Sequence, residues 1–155
     1  MSNIFYVQYI LTHRRVLPVY KTLTPYSIGG MIIIEKYISK TFIQTQVFSR
    51  RWDELGLDDE CLRKLELEIL KNPHKFPVMK GTGGLRKARV PIGKRGKSGG
   101  ARVCFVDFVF AETVYFITVY TKKEKANLSK EECAAINKAI QVLEKSLGGG
   151  ENGKE

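Results

Sequence analysis

Cationic side chains are concentrated in one part of the chain, where they could bind and stabilise phosphate groups. Residues 80–102 contain eight lysines and arginines and no acidic residue, and three more lysines follow at 122–125. Crowded like charges raise one another's energy unless an anion lies among them, so the pattern predicts an anion-binding surface. The first cluster is Lys80, Arg86, Lys87, Arg89, Lys94, Arg95, Lys97 and Arg102, and the second is Lys122, Lys123 and Lys125.

The whole chain carries the same bias. Its 155 residues include 26 Lys and Arg against 16 Asp and Glu, a net charge of +10. A surplus of this size favours nucleic acid, an anionic membrane or an acidic protein as partner. A solvated basic loop is the simpler alternative, but Arg86, Arg89 and Arg102 fall within strand patterns.

Other catalytic chemistries find few residues to support them. His13 and His74 are the only histidines, which excludes a paired-histidine nuclease and a histidine metal centre. Cys61, Cys104 and Cys133 are widely spaced and predict packing roles in a reducing cytoplasm. The sequence predicts no metal and no cofactor, and the glycine-rich residues 81–84 predict a tight turn, since they match no nucleotide-binding motif. Any reaction would depend on arginine, lysine and tyrosine.

Hydrophobic periodicity predicts the elements that would position these cations. A strand at residues 41–46 precedes one helix that Gly56 ends and a second that begins at Asp58 and stops at Asn72. Strands follow at 85–91, 101–110 and 113–120, and a last helix begins with the capping box of Ser129 and Glu132. The order β-α-α-β-β-β-α predicts an α+β fold with a mainly antiparallel sheet. If the last three strands form a meander, the two basic clusters converge.

The predicted domain spans residues 36–147. Residues 1–35 read as an extension without a sustained period, and Met31, at the start of an apolar run, is an alternative translation start. Residues 148–155 predict a disordered tail. Neither a secretory signal nor a membrane-spanning segment is predicted, so we expect a cytoplasmic protein.

Several motifs resemble the HigB group of RelE-type toxins. The central ones are Lys80-Gly-Thr-Gly-Gly-Leu-Arg-Lys-Ala-Arg and Arg95-Gly-Lys-Ser-Gly-Gly-Ala-Arg-Val; Leu57-Asp-Asp precedes them, and Tyr120-Thr-Lys-Lys-Glu-Lys follows. The resemblance covers about residues 41–147 and identifies the predicted domain, residues 36–147, as a RelE/HigB-like toxin domain. It implies a ribosome-dependent messenger-RNA endonuclease in which the substrate's own 2′-hydroxyl attacks the adjacent phosphate without a metal.

The resemblance also implies roles for individual residues. Arg102 would stabilise the phosphate, Lys123 would protonate the leaving oxygen, and Lys87 would help to activate the hydroxyl. The other cations of the two clusters would bind RNA. The tyrosine that some RelE toxins carry beyond the last strand has no counterpart at Asn127-Leu-Ser, and Tyr120 is expected to pack in the sheet.

Two alternative functions and two partners are also expected. Related ParE proteins use the same scaffold to poison DNA gyrase, and a non-catalytic RNA-binding module would need only the basic surface. The expected partners are messenger RNA on the ribosome and a cognate antitoxin of the helix-turn-helix, HigA-like kind.

Overall fold

The order of strands and helices matches the predicted one over most of the chain. The computed structural model describes residues 11–20, 37–94 and 99–149. The elements are β1 (Leu11–Tyr20), β2 (Tyr37–Thr45), α1 (Gln46–Glu54), α2 (Asp59–Lys71), β3 (Arg86–Val90), β4 (Ala101–Phe108), β5 (Thr113–Thr121) and α3 (Lys130–Ser146). From β2 onward this is the predicted β-α-α-β-β-β-α order, which confirms the α+β class.

The strands form one mixed sheet in the order β1-β2-β5-β4-β3. β2 and β5 run parallel, whereas the other neighbouring pairs are antiparallel, as predicted. β4 and β5 lie inside the sheet, which explains their nearly continuous apolar sequences. β3, β4 and β5 form the meander that the convergence of the basic clusters requires.

Each face of the sheet is covered by helices. α1 and α2 cover one face, here named the hairpin face, and α3 covers the other, the α3 face. The hairpin-face core includes Phe42, Phe48, Trp52, Leu62, Ile69, Val103, Phe105, Val114 and Phe116. The α3-face core includes Cys104, Val106, Phe108, Tyr115, Tyr120, Ile140 and Leu143. Because strand residues alternate between faces, each strand residue can be assigned to one core or the other.

Side-chain caps fix the helix starts. The Thr45 hydroxyl accepts a hydrogen bond from Phe48 N at 3.1 Å and donates one to the Ile117 carbonyl at 2.8 Å, which ties the start of α1 to β5. Asp58 caps α2 through Cys61 N at 2.8 Å. The predicted capping box of Ser129 and Glu132 is present at α3.

The glycine-rich residues 81–84 form the predicted turn. Thr82 is buried, and its hydroxyl donates to the Met79 carbonyl at 2.6 Å and accepts from Leu85 N at 3.1 Å. A Cβ at Gly83 would lie 2.5 Å from Asn137 Oδ1, so the turn packs closely against α3. This close packing, together with positive φ at Gly81, Gly83 and Gly84, accounts for the glycines.

Several sequence predictions fall outside the described residues: the apolar run at Met31, residues 150–155 of the tail, and Arg95 and Lys97. Within residues 11–20, 37–94 and 99–149, no helix combines the length and apolarity that a bilayer crossing requires.

Candidate nucleic-acid interface

Strand alternation places three of the predicted cations on the α3 face. Lys87 and Arg89 alternate with Ala88 and Val90, which are buried in the hairpin-face core, so the two cations lie on the opposite face. Arg102 likewise lies between Ala101 and Val103 of that core. The three side chains therefore share one side of the sheet.

The strand register brings two of these cations directly opposite each other. Arg89 pairs with Arg102 across β3 and β4, and Arg102 pairs with Tyr120 across β4 and β5. Lys87 N donates outward, to the Pro77 carbonyl at 3.2 Å, so Lys87 and Arg89 turn their backbone groups away from β4. Arg89 and Arg102, the arginine pair, thus form the narrow, non-hydrogen-bonded kind of cross-strand pair, with Cα atoms about 4.5 Å apart.

Arg102 is held firmly, with only 7% of its surface exposed. Its Nη1 donates to the Gly100 carbonyl at 3.3 Å. A Cβ at Gly100 would lie 1.9 Å from the Val90 carbonyl oxygen, so only glycine allows the chain to enter β4 so close to the end of β3. Gly100 therefore lets the start of β4 lie against the end of β3, and it supplies the carbonyl that accepts from Arg102.

Within the part of the chain that the structure describes, neither arginine of the pair forms an ion pair with a carboxylate. Like charges directly opposite each other on neighbouring strands are destabilising by roughly 0.2–1 kcal/mol. Burial adds to the cost, since an uncompensated charge loses hydration. Both penalties fall when an anion binds between the side chains, and a guanidinium presents two donors to a phosphate.

The second basic cluster divides into free and paired lysines. Thr121, at the end of β5, pairs with Ala101 at the start of β4, so the turn that follows lies at the same end of the sheet as the arginine pair. Lys122 and Lys123 on this turn are exposed. Lys125 instead binds the Glu132 carboxylate, and its Nζ lies 5.5 Å from the centre of the Tyr120 ring. Lys123 therefore lies at the same end of the sheet as the arginine pair, whereas Lys125 is paired within the protein.

Other predicted RNA-binding residues lie elsewhere. Arg86 alternates with Lys87, so it lies on the hairpin face, where its Nη1 donates to the Phe76 carbonyl at 2.7 Å. Lys80 is exposed before the turn at 81–84, beyond the opposite end of β3 from Arg89. Lys94 is exposed in the loop that follows β3. The structure thus gathers only part of the first cluster on one surface.

Tyr120 packs in the sheet, as expected. It is 2% exposed, and its hydroxyl has no hydrogen-bond partner among the described residues. Burial raises the pKa of Tyr120 to about 12, with the neighbouring Arg102 opposing the rise. A phenol with so high a pKa is a poor general base near neutral pH.

The described cysteines are free, and burial raises the pKa of Cys104 to about 12, which suits a packing role. Cys61 and Cys133 are half-buried. Across residues 11–20, 37–94 and 99–149, no three histidine, cysteine or acidic side chains are grouped so as to hold a metal ion.

Sequence reasoning missed the ion pairs that two acidic residues form at the second basic cluster. Glu124 binds Arg51 of α1, and Glu132 binds Lys125. Glu132 had a local signal, because the capping box predicts its position. The contact of Glu124 with Arg51 joins residues 73 apart in sequence, and no periodicity indicates it.

The fold and the basic α3 face together define a small α+β protein with the RelE-like arrangement of β2-α1-α2-β3-β4-β5-α3. Residues 40–147 match the family model described as the RelE toxin of the RelE/RelB toxin–antitoxin system. The chain belongs to the RelE toxin family, and it is a toxin of a toxin–antitoxin system with a cognate antitoxin as partner. β1 precedes the matched residues.

Proposed function

We propose that the chain is a metal-independent endoribonuclease that cuts messenger RNA on the ribosome. The observation that carries the proposal is the arginine pair: Arg102, 7% exposed, faces Arg89 across the strands without a carboxylate partner in the described part of the chain. A scissile phosphate between the two guanidiniums would relieve their repulsion. Membership of the RelE family supports RNA as the source of that phosphate.

In the proposed reaction, the 2′-oxygen forms a bond to phosphorus while the bond from phosphorus to the 5′-oxygen breaks. Arg102 stabilises the charge that develops on the phosphate oxygens, with Arg89 beside it. The uncharged amine form of Lys87, half-buried on the same face, accepts the proton of the 2′-hydroxyl. Lys123 gives a proton to the leaving 5′-oxygen. The products are a 2′,3′-cyclic phosphate and a free 5′-hydroxyl.

RNA on either side of the scissile phosphate has basic contacts available. Lys94 is exposed in the loop that follows β3, and Lys122 is exposed on the turn at the same end of the sheet as the arginine pair. We also assign RNA contacts to Arg95 and Lys97, which follow Lys94 in the sequence. Reliance on the ribosome to orient the substrate suits a site without a strong acid or base. We further propose a HigB-like subgroup and a helix-turn-helix antitoxin that covers the basic surface.

The test compares Arg102→Ala with the wild type in ribosome-bound messenger cleavage and in growth arrest of cells. Loss of the phosphate contact should slow cleavage about a hundredfold or more and abolish growth arrest. Arg63→Ala on the exposed side of α2 is the matched control and should cleave at the wild-type rate. Arg89→Ala changes an exposed residue, so it tests the arginine pair without altering a buried position, as Arg102→Ala does.

Two results would overturn the proposal. One is wild-type cleavage by folded Arg102→Ala and Arg89→Ala proteins. The other is DNA breakage with intact messenger in arrested cells, which would favour a gyrase poison on the same scaffold.

A further inference from the structure

One carboxylate lies within the second basic cluster, on a surface that should bind RNA. Glu124 is flanked by Lys123 and Lys125, and its side chain is 39% exposed. An unneutralised carboxylate at such a place would repel phosphate. Glu124 is instead bound by groups of the protein itself.

Glu124 closes the turn that follows β5. Its Oε2 accepts hydrogen bonds from Thr121 N at 2.7 Å and from the Thr121 hydroxyl at 3.1 Å. Its Oε1 accepts from Arg51 Nη2 of α1. The Thr121 backbone bond, assisted by Arg51, lowers the pKa of Glu124, so the carboxylate is charged at neutral pH. One side chain therefore links the turn to the end of β5 and to the first helix.

The far side of the turn is fastened in the same way. Lys125 binds Glu132, whose other oxygen accepts from Ser129 N at 2.8 Å at the start of α3. Lys122 and Lys123 lie between Thr121 and Glu124, and neither forms an ion pair among the described residues. Both carboxylates thus have cationic partners that hold the turn, namely Arg51, which also binds Glu54, and Lys125. The two central cations of the turn stay available.

We infer that Glu124 is a positioning residue, which holds the turn so that Lys123 stays beside the arginine pair. The inference rests on the proposed function, since it assumes that Lys123 serves the cleavage reaction. Thr121 connects the turn to the arginine pair, because it pairs with Ala101 next to Arg102 and also binds Glu124. A displacement of about 1 Å in a catalytic group can cost a hundredfold in rate.

The experiment is a double-mutant cycle on messenger cleavage with Glu124→Ala and Lys123→Met. Glu124→Ala should slow cleavage about ten- to hundredfold in the wild-type background and cause no further loss in Lys123→Met. Glu124→Gln keeps an acceptor for Thr121 and should recover part of the rate. Glu144→Ala, which removes an exposed charge on α3, is the charge-matched control and should cleave normally.

Amide exchange gives a second readout that does not depend on cleavage. The Thr121 amide should exchange faster in Glu124→Ala than in the wild type, while the melting temperature falls by about 3 °C or less, as for an exposed ion pair.

Each failure has its own signature. Equal slowing by Glu124→Ala in both backgrounds, or unchanged exchange at Thr121, overturns the positioning role alone. Wild-type cleavage by Lys123→Met overturns the role of Lys123 and this inference with it. A wild-type protein that leaves ribosome-bound messenger intact overturns the proposed function itself.

Discussion

Cations at the two ends of the sheet have opposite surroundings. Near the end where β2 meets the start of β5, Lys40 is buried, and its Nζ lies 2.5 Å from both carboxylate oxygens of Asp107. At the other end, Arg89 and Arg102 face each other with no carboxylate partner among the described residues. The first charge is satisfied within the chain. The arginine pair is available to a ligand, and without one its electrostatic repulsion lowers the stability of the folded protein.

The largest effect on stability is expected at the paired end. Lys40→Met leaves the Asp107 carboxylate, 3% exposed, without its partner. Removal of one member of a buried ion pair costs about 3–5 kcal/mol, because the remaining charge stays desolvated. Urea unfolding of the variant and the wild type measures this difference in the free energy of unfolding.

The double variant Lys40→Met with Asp107→Leu is the control for that measurement. Apolar replacement of both partners should recover most of the stability, since no charge remains buried. A loss below about 1 kcal/mol in Lys40→Met would show that the pair is not a determinant of folding and would erase the contrast between the two ends.

A smaller effect is expected where β1 contacts α2. Arg15 binds Asp59 at 2.5 Å and Glu66 at 3.3 Å, and Glu66 is 1% exposed with one oxygen unpartnered among the described residues. Burial raises the pKa of Glu66 above its ordinary value of 4.5, although Arg15 opposes the rise. The folded state therefore binds this proton more tightly than the unfolded state does.

The tighter binding of this proton by the folded state stabilises the protein at pH values below the ordinary pKa of Glu66. That stabilisation is lost as pH rises through the raised pKa of the folded state. Relative to Glu66→Gln, the wild type should lose stability as pH rises above about 4.5, the ordinary pKa of the carboxyl. Urea unfolding of both proteins at a series of pH values measures the trend. If the wild type instead became more stable relative to the variant as pH rises, Arg15 would lower the pKa of Glu66 by more than burial raises it.

The sequence predicted the fold where local patterns are strong. Apolar periodicity, the Asp58 start of α2 and the capping box at Ser129 indicated elements that the structure has. The grouping of Arg86 with Lys87 and Arg89 failed for a simple reason: consecutive strand residues point to opposite faces. Strict application of that alternation would have separated Arg86 from the other two.

Other features depend on contacts between distant residues. The first thirty residues showed no sustained period, yet residues 11–20 form β1 against β2. Pro18 weakened the strand pattern there, although an edge strand tolerates proline. The bond of Glu124 to Arg51 spans 73 positions, and the carbonyl that accepts from Arg102 belongs to Gly100, which passes close to Val90. Such contacts follow only from the assembled sheet and helices.

The most direct test of the central claim is the unfolding free energy of Arg89→Ala at low salt, without and with a 2′-O-methyl oligoribonucleotide that resists cleavage. Without RNA, the free energy of unfolding of the variant should equal that of the wild type or be higher by up to about 1 kcal/mol, because removal of one arginine ends the repulsion across the strands. With RNA, the wild type should gain stability and the variant should gain much less. A variant that is less stable without RNA, or that gains as much from RNA as the wild type, would contradict the account.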